Sequence, residues 1–319
     1  MASRGIWRLM SARARRGLAL SWSALFVCSL ILQYMAFAAA PAALAVHDEG
    51  LFELDGNTVA NNAAAPIGPA DDWDSHPGAT GARSLFVTDP LDQQTDDIYT
   101  GGSTKDDLNT TGWRWTTGSV PDKDNIEHAF AASYDKNGHT FVYFGLDRYA
   151  NNGDAFTGFW FFKGGVGPVS GGTFSGAHQV GDLLVLANFT NGGATSTVQL
   201  YEWVGAGNGE VNGTLHLLGT GQECTGSPVD DKACAITNSG NITPSWPFDD
   251  KGVKDAPNPI PAESFFEGGI DLDQLYGGSA PCFGSFIAET RASQSVDAVL
   301  KDFAGGSFNT CVPPTISTT

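Results

Sequence analysis

The densest group of potential oxygen ligands beside a strongly apolar segment is Asp147-Arg-Tyr-Ala-Asn-Asn-Gly-Asp154. Calcium takes about six to eight hard oxygens from carboxylates, amides, main-chain carbonyls and water. Asp147, Asn151 and Asp154 can supply side-chain oxygens, and the main chain near Tyr149 a carbonyl. The alternative is a polar turn whose Asn and Asp side chains cap their own backbone. Asp122 and Asp124 are further candidate ligands, provided the fold brings them to the same end of the molecule. They lack the distal bidentate Glu of a complete calcium loop. Trp113, Trp115 and Tyr149 offer flat rings close to Asp and Asn, a combination suited to the faces and hydroxyls of sugars. Core packing is the competing role, and it is the expected one for Trp160 within Phe-Trp-Phe-Phe.

Signatures of catalysis are sparse. The chain has no Gly-x-Ser-x-Gly elbow, and its six histidines form no His-Glu-x-x-His pattern. Glu53-Leu-Asp55-Gly-Asn-Thr58 begins the Glu-x-Asp-x-x-Glu strand of many glycosidases but ends in Thr. Glu267 and Asp271 lack that spacing, so a glycan hydrolase would need carboxylates from distant strands.

These residues sit among short strands. Residues 128–134, 140–144 and 156–162 are apolar almost throughout and rich in aromatic and β-branched side chains. Such runs predict strands covered on both faces, or strands with one face packed on another sheet. Residues 178–189 and 196–204 flank Thr190-Asn-Gly-Gly193 and predict a hairpin. Residues 51–57, 84–88, 113–117, 214–218 and 262–273 read as further strands, the last followed by a helical turn. Residues 89–112 read as a long acidic loop. The segment 288–303 has both helical and alternating spacing, and a strand is the expectation.

Residues 1–45 carry five arginines, no acidic residue, a long apolar run and a small-residue end, Ala43-Leu44-Ala45. That is the pattern of a cleaved secretion signal, with an uncleaved membrane anchor as the rival. Cleavage would remove five of the 17 basic residues and none of the 35 acidic ones, taking the net charge from −18 to −23. An acidic chain of this kind disfavours nucleic acid and anionic membranes as partners. Cys224, Cys234, Cys282 and Cys311 remain, an even count that reads as two disulfides in an oxidising compartment. Three pairings are possible, and sequence order favours Cys224 with Cys234 and Cys282 with Cys311.

The spacing Asp147-x-Tyr149-x-Asn151 with a following Asp resembles the metal loop of legume lectins, a family with a concanavalin-type jelly roll. Gly145 stands where that family has an acidic residue, and Asp154 lies two positions early, so the resemblance implies only the calcium half of the site. At longer range, residues 51–57, 120–124, 143–154, 158–162, 265–270 and 295–303 together resemble an uncharacterised domain of large secreted or wall-associated bacterial proteins. That resemblance implies an extracellular setting and no particular activity. The resulting expectation is an all-β chain: a signal over 1–45, one two-sheet antiparallel β-sandwich of concanavalin-like or jelly-roll type over 46–311, and the start of a Pro/Thr/Ser linker over 312–319. Its expected role is a secreted or cell-surface binding or adhesion domain, stabilised by calcium, with an extracellular glycan or surface protein as partner. A glycan hydrolase and a structural spacer are the alternatives.

Overall fold

Alternating and continuous apolar segments become fifteen strands in the computed structural model, which describes residues 46–47, 50–61, 70–76, 83–101, 108–189, 198–224, 232–249 and 258–311. The expected signal (1–45) and linker (312–319) lie outside the described residues, as does the turn at 190–193. The strands are β1 (Ser84–Thr88), β2 (Asp97–Thr100), β3 (Arg114–Thr117), β4 (Ile126–Lys136), β5 (His139–Arg148), β6 (Ala155–Phe162), β7 (Gly167–Val169) and β8 (Thr173–Ser175). They continue as β9 (Leu183–Phe189), β10 (Val198–Trp203), β11 (Leu215–Glu223), β12 (Ala233–Thr237), β13 (Phe265–Asp271), β14 (Ser285–Arg291) and β15 (Leu300–Ser307). One short helix, α1 (Leu272–Leu275), follows β13, capped by Asp271 through the Gln274 N–H.

All fifteen belong to one mixed sheet in the order β1-β4-β5-β13-β12-β11-β10-β9-β6-β14-β15-β2-β3-β8-β7. The pairings are antiparallel except β11 with β12. The β4–β5 hairpin turns at Asn137 and Gly138, with φ of 54° and 86°. Two successive positive φ angles define the tight turn that Asn-Gly adopts most easily.

The sheet folds over, because strands far apart in its order meet face to face. The rings of Phe144 on β5 and Phe159 on β6 are 4.8 Å apart, and Phe159 stacks on Phe266 of β13 at 5.3 Å. The other side of β4, β5 and β13 is covered by Phe52, Trp73, Trp246 and Phe248. The other side of β6, β9 and β14 is covered by Tyr99, Trp113 and Phe174 from β2, β8 and the approach to β3. Both faces of the central strands are therefore buried, the first of the two readings the apolar runs allow, and β13 and β14 are buried along their whole length.

Three expectations change. Residues 51–57 do not form a strand; only Phe52 makes an isolated bridge, to Asp71. The acidic stretch 89–112 contains strand β2. The segment 288–303 is strand only at its ends, in β14 (to Arg291) and β15 (from Leu300), and 292–299 form the turn between these two arms. The described residues all fall within one compact unit, Leu44–Thr319. Among them no helix is long and apolar enough to cross a membrane.

Candidate functional site

The residues of the predicted loop lie in different surroundings. Asp147, near the end of β5, is fully buried. It accepts hydrogen bonds from the His128 backbone N–H at 2.8 Å and Trp246 Nε1 at 3.0 Å, and His128 Nδ1 lies 3.0 Å from each of its oxygens. Asn151 is exposed and donates its side-chain amide to the Ala262 carbonyl. Asp154 is exposed, and its main-chain oxygen accepts from Lys123 Nζ. Tyr149 is half-buried and donates its backbone N–H to the Asn125 carbonyl.

The positive centre of this loop is the protein's own. The buried Arg148 guanidinium donates to the carbonyls of Glu263, Lys123 and Gly153 at 2.8–3.3 Å. Burial lowers its pKa to about 10, still far above neutrality. Gly145 has no room for a side chain, since a Cβ there would overlap the Phe266 carbonyl and the Phe130 ring. Asp124 is buried beside Lys123 Nζ at 3.0 Å, and Asp122 is half-buried on the same 3-10 turn.

The aromatic candidates separate. Trp113 is core, 1% exposed, with the rings of Tyr99 and Phe174 each 5.4 Å away. Its sequence position beside polar residues hides this, because the layer that covers it is assembled from strands elsewhere in the chain. Trp115 is half-buried at the rim of that layer, and its Nε1 donates to the carbonyls of Val169 and Thr173 at 3.0 Å. Trp160 is core, as expected.

Among the described residues two buried clusters have ligand atoms placed closely enough to coordinate one divalent ion. The first is Glu127, His128 and Asp147. Here the Asp147 carboxylate is surrounded by donors, and Glu127 Oε1 accepts from the Asp249 N–H at 2.7 Å, leaving Oε2 without a donor. Burial, then the charge of Asp147, raises the Glu127 pKa to about 9.

The second cluster is Asp89, Asp96 and Asp302, with one oxygen of each within 4.8 Å of the others. Asp89 follows β1, Asp96 precedes β2 and Asp302 lies in β15, whose only register partner in β2 is Ile98. Backbone bonds hold the three in place: Asp89 N–H to the Glu127 carbonyl, Asp96 N–H to the Asp92 carbonyl, and Asp302 N–H to Thr290 Oγ1. Asp302 Oδ2 accepts from the Ile126 N–H at 2.8 Å. Its Oδ1, both oxygens of Asp96 and Oδ2 of Asp89 are buried and receive no hydrogen bond from the described residues. Desolvation, then repulsion by neighbouring carboxylates, raises the pKa of Asp89 to about 10 and of Asp96 to about 7, and pushes Asp302 far upward. Asp89 and Asp96 are visible in the sequence as members of an acidic stretch. Asp302 is not, because nothing local distinguishes it from a solvent-facing strand residue.

Glu267, one of the two carboxylates weighed for hydrolysis, is fully buried on β13. Its oxygens accept from the Gly56 N–H at 2.7 Å and Trp73 Nε1 at 2.8 Å. Asp271 caps α1 and contacts His139 Nδ1 at 2.7 Å. Glu53 is also buried, its Oε2 accepting from the Asn61 N–H.

The Cys224–Cys234 disulfide is formed, joining the residue after β11 to β12. Cys282 and Cys311 are exposed and unbonded, so the expected second bridge is absent. Phe283 and Thr310 pair across the hairpin through the Thr310 N–H and Oγ1. Asn309 Oδ1 then accepts from the Cys311 N–H and bends that residue into a turn.

No protein-family model, curated protein or solved structure matches the chain. The resemblances to legume lectins and to wall-associated bacterial domains draw no support from these comparisons.

Proposed function

We propose that this chain is an exported, non-catalytic binding domain of concanavalin-like type, carried by a bacterial surface or secreted protein, with an extracellular glycan as its ligand. The observation that carries the binding role is Trp115. Its ring is half-open at the rim of the β2–β3–β8–β7 layer, and its one polar group is already bonded to Val169 and Thr173. An aromatic ring held in one orientation before the ligand arrives loses little side-chain freedom on binding. Export is supported by the Cys224–Cys234 bridge, by the leader-like first 45 residues and by the acidic net charge. Binding is favoured over hydrolysis because Glu53 and Glu267 are buried and already accept hydrogen bonds.

The test is a glycan array probed with the purified full chain. Binding to a defined glycan class that is lost in Trp115→Ala, while the unfolding midpoint stays close to that of the parent, supports the reading. Glycan binding that is unaffected by Trp115→Ala, or absent throughout, overturns it. Recovery of the chain from the cytoplasm rather than the medium or cell surface would overturn the export half.

A further inference from the structure

We propose that Asp89, Asp96 and Asp302 together bind one hard divalent cation of the calcium class, which clasps the end of β1 to β2 and β15. This cation site shares no residue with the glycan-binding face around Trp115.

Asp89 and Asp96, from one acidic stretch, and Asp302, more than two hundred residues later in the chain, each place one oxygen within 4.8 Å of the others. Calcium ligands lie about 2.3–2.6 Å from the ion, so oxygens on opposite sides of it are about 4.6–5.2 Å apart. The spacing of the three oxygens lies within the span that one such ion bridges.

Apart from the Ile126 N–H on Asp302 Oδ2, these carboxylates are poor in donors. Four of their oxygens are buried and receive no hydrogen bond from the described residues. Asp96 and Asp302 are 0% exposed, so water does not solvate them from outside. Among the described residues, the leading charges acting on the three groups are carboxylates: one another, Asp97 and Asp124. Burying a carboxylate without donors or a counter-charge is strongly unfavourable. A shared cation supplies that charge and occupies the lone pairs. The rival is retention of protons by the acids, and it makes the opposite prediction for added metal.

The ligand set selects the class of ion. Three carboxylates and no nitrogen or sulfur suit a hard cation, with waters or carbonyls completing the shell. The location supplies a consequence. β1 is one terminus of the sheet order and β15 is far along it, yet the two strands touch in space. An ion there holds the folded-over sheet closed where no register pairing joins β1 to β15.

The experiment strips the purified full chain with a chelator, removes the chelator, and titrates calcium chloride by calorimetry and thermal unfolding. The expected result is one calcium per chain. The midpoint should rise by about 5–10 °C when calcium is about a hundred times its Kd. Asp96→Asn should unfold at or above the stripped parent without metal, because a neutral amide removes repulsion, and should gain nothing from calcium. Should that variant not fold, Asp89→Asn is read in the same way. Glu127→Gln, in the other cluster, should keep the full calcium response. Absence of calcium binding by the parent overturns the assignment. So does a calcium response kept by Asp96→Asn, or one lost in Glu127→Gln instead, or a preference for zinc over calcium.

Discussion

The two buried acidic clusters differ in one respect that decides their roles. In both, burial lifts a carboxyl far above its ordinary range, to about 9 at Glu127 and about 10 at Asp89. Around Asp147 the fold supplies the His128 N–H, the His128 ring and Trp246 Nε1. Around Asp96 no described residue donates to either oxygen. A carboxylate surrounded by donors is a structural tie, since charge-assisted hydrogen bonds replace its lost hydration. A carboxylate without donors must take a proton or a cation from solution. Burial alone identifies neither, and the donors around each oxygen distinguish the two.

The largest effect expected from this contrast is at Asp147. Asp147→Ala leaves the His128 N–H, the His128 ring and Trp246 Nε1 without their acceptor. Breaking a buried pair from one side costs about 3–5 kcal/mol. Denaturant unfolding should show a loss of that size, and a loss under about 1 kcal/mol would erase the contrast.

The next effect is on pH dependence. Asp89, Asp96 and Asp302 have folded pKa values raised above their unfolded ones, so the native state binds more protons than the unfolded chain. Their contribution to stability is complete below the unfolded pKa, about 4, and is lost as pH rises through the folded values. For Asp96 that passage lies near 7, and for Asp89 near 10. The midpoint of the metal-free protein should therefore fall between about pH 5 and pH 9, and calcium should flatten the slope. Glu127 and Asp72, each raised to about 9, add a slope of the same sign. Only the part that calcium removes belongs to the Asp89–Asp96–Asp302 cluster. A slope identical with and without calcium would contradict the contrast.

Smaller effects sharpen it. Glu127→Gln keeps an acceptor for the Asp249 N–H and removes a carboxyl that burial disfavours. Its unfolding free energy should change by no more than about 1 kcal/mol. Asp154→Ala should change stability by less than about 0.5 kcal/mol. Asp154 is exposed, and the bond from Lys123 uses its main-chain oxygen, which alanine retains. A larger loss at Asp154, restored by calcium, would return metal binding to the Asp147–Asp154 loop.

Several elements are legible in the amino-acid sequence. The aromatic runs of β4, β5 and β6 predict strands buried on both faces, because a strand with a wet face would alternate. The β9–β10 hairpin and the helical turn α1 are readable from local spacing and turn chemistry. The bridge from Cys224 to Cys234 follows from nearness in sequence. Strand β2 is not legible, since Asp-Ile-Tyr-Thr within an acidic stretch has too little apolar content to mark itself. Residues 51–57 alternate like a strand yet make only one bridge, and the backbone N–H of Gly56 serves Glu267 instead.

By itself the sequence determined the strand-rich class, the burial of the central apolar strands and the acidic charge, because these depend on composition and short-range periodicity. Only the tertiary structure decided which acids matter. Asp147 stands in an apparent ligand loop and is a tie for His128 and Trp246, while Asp302, unmarked by its neighbours, joins Asp89 and Asp96. The physical reason is that ligand geometry depends on which strands the sheet brings together when it folds over. Asp89 and Asp302 meet across more than two hundred residues of chain, a separation at which local pattern carries no information.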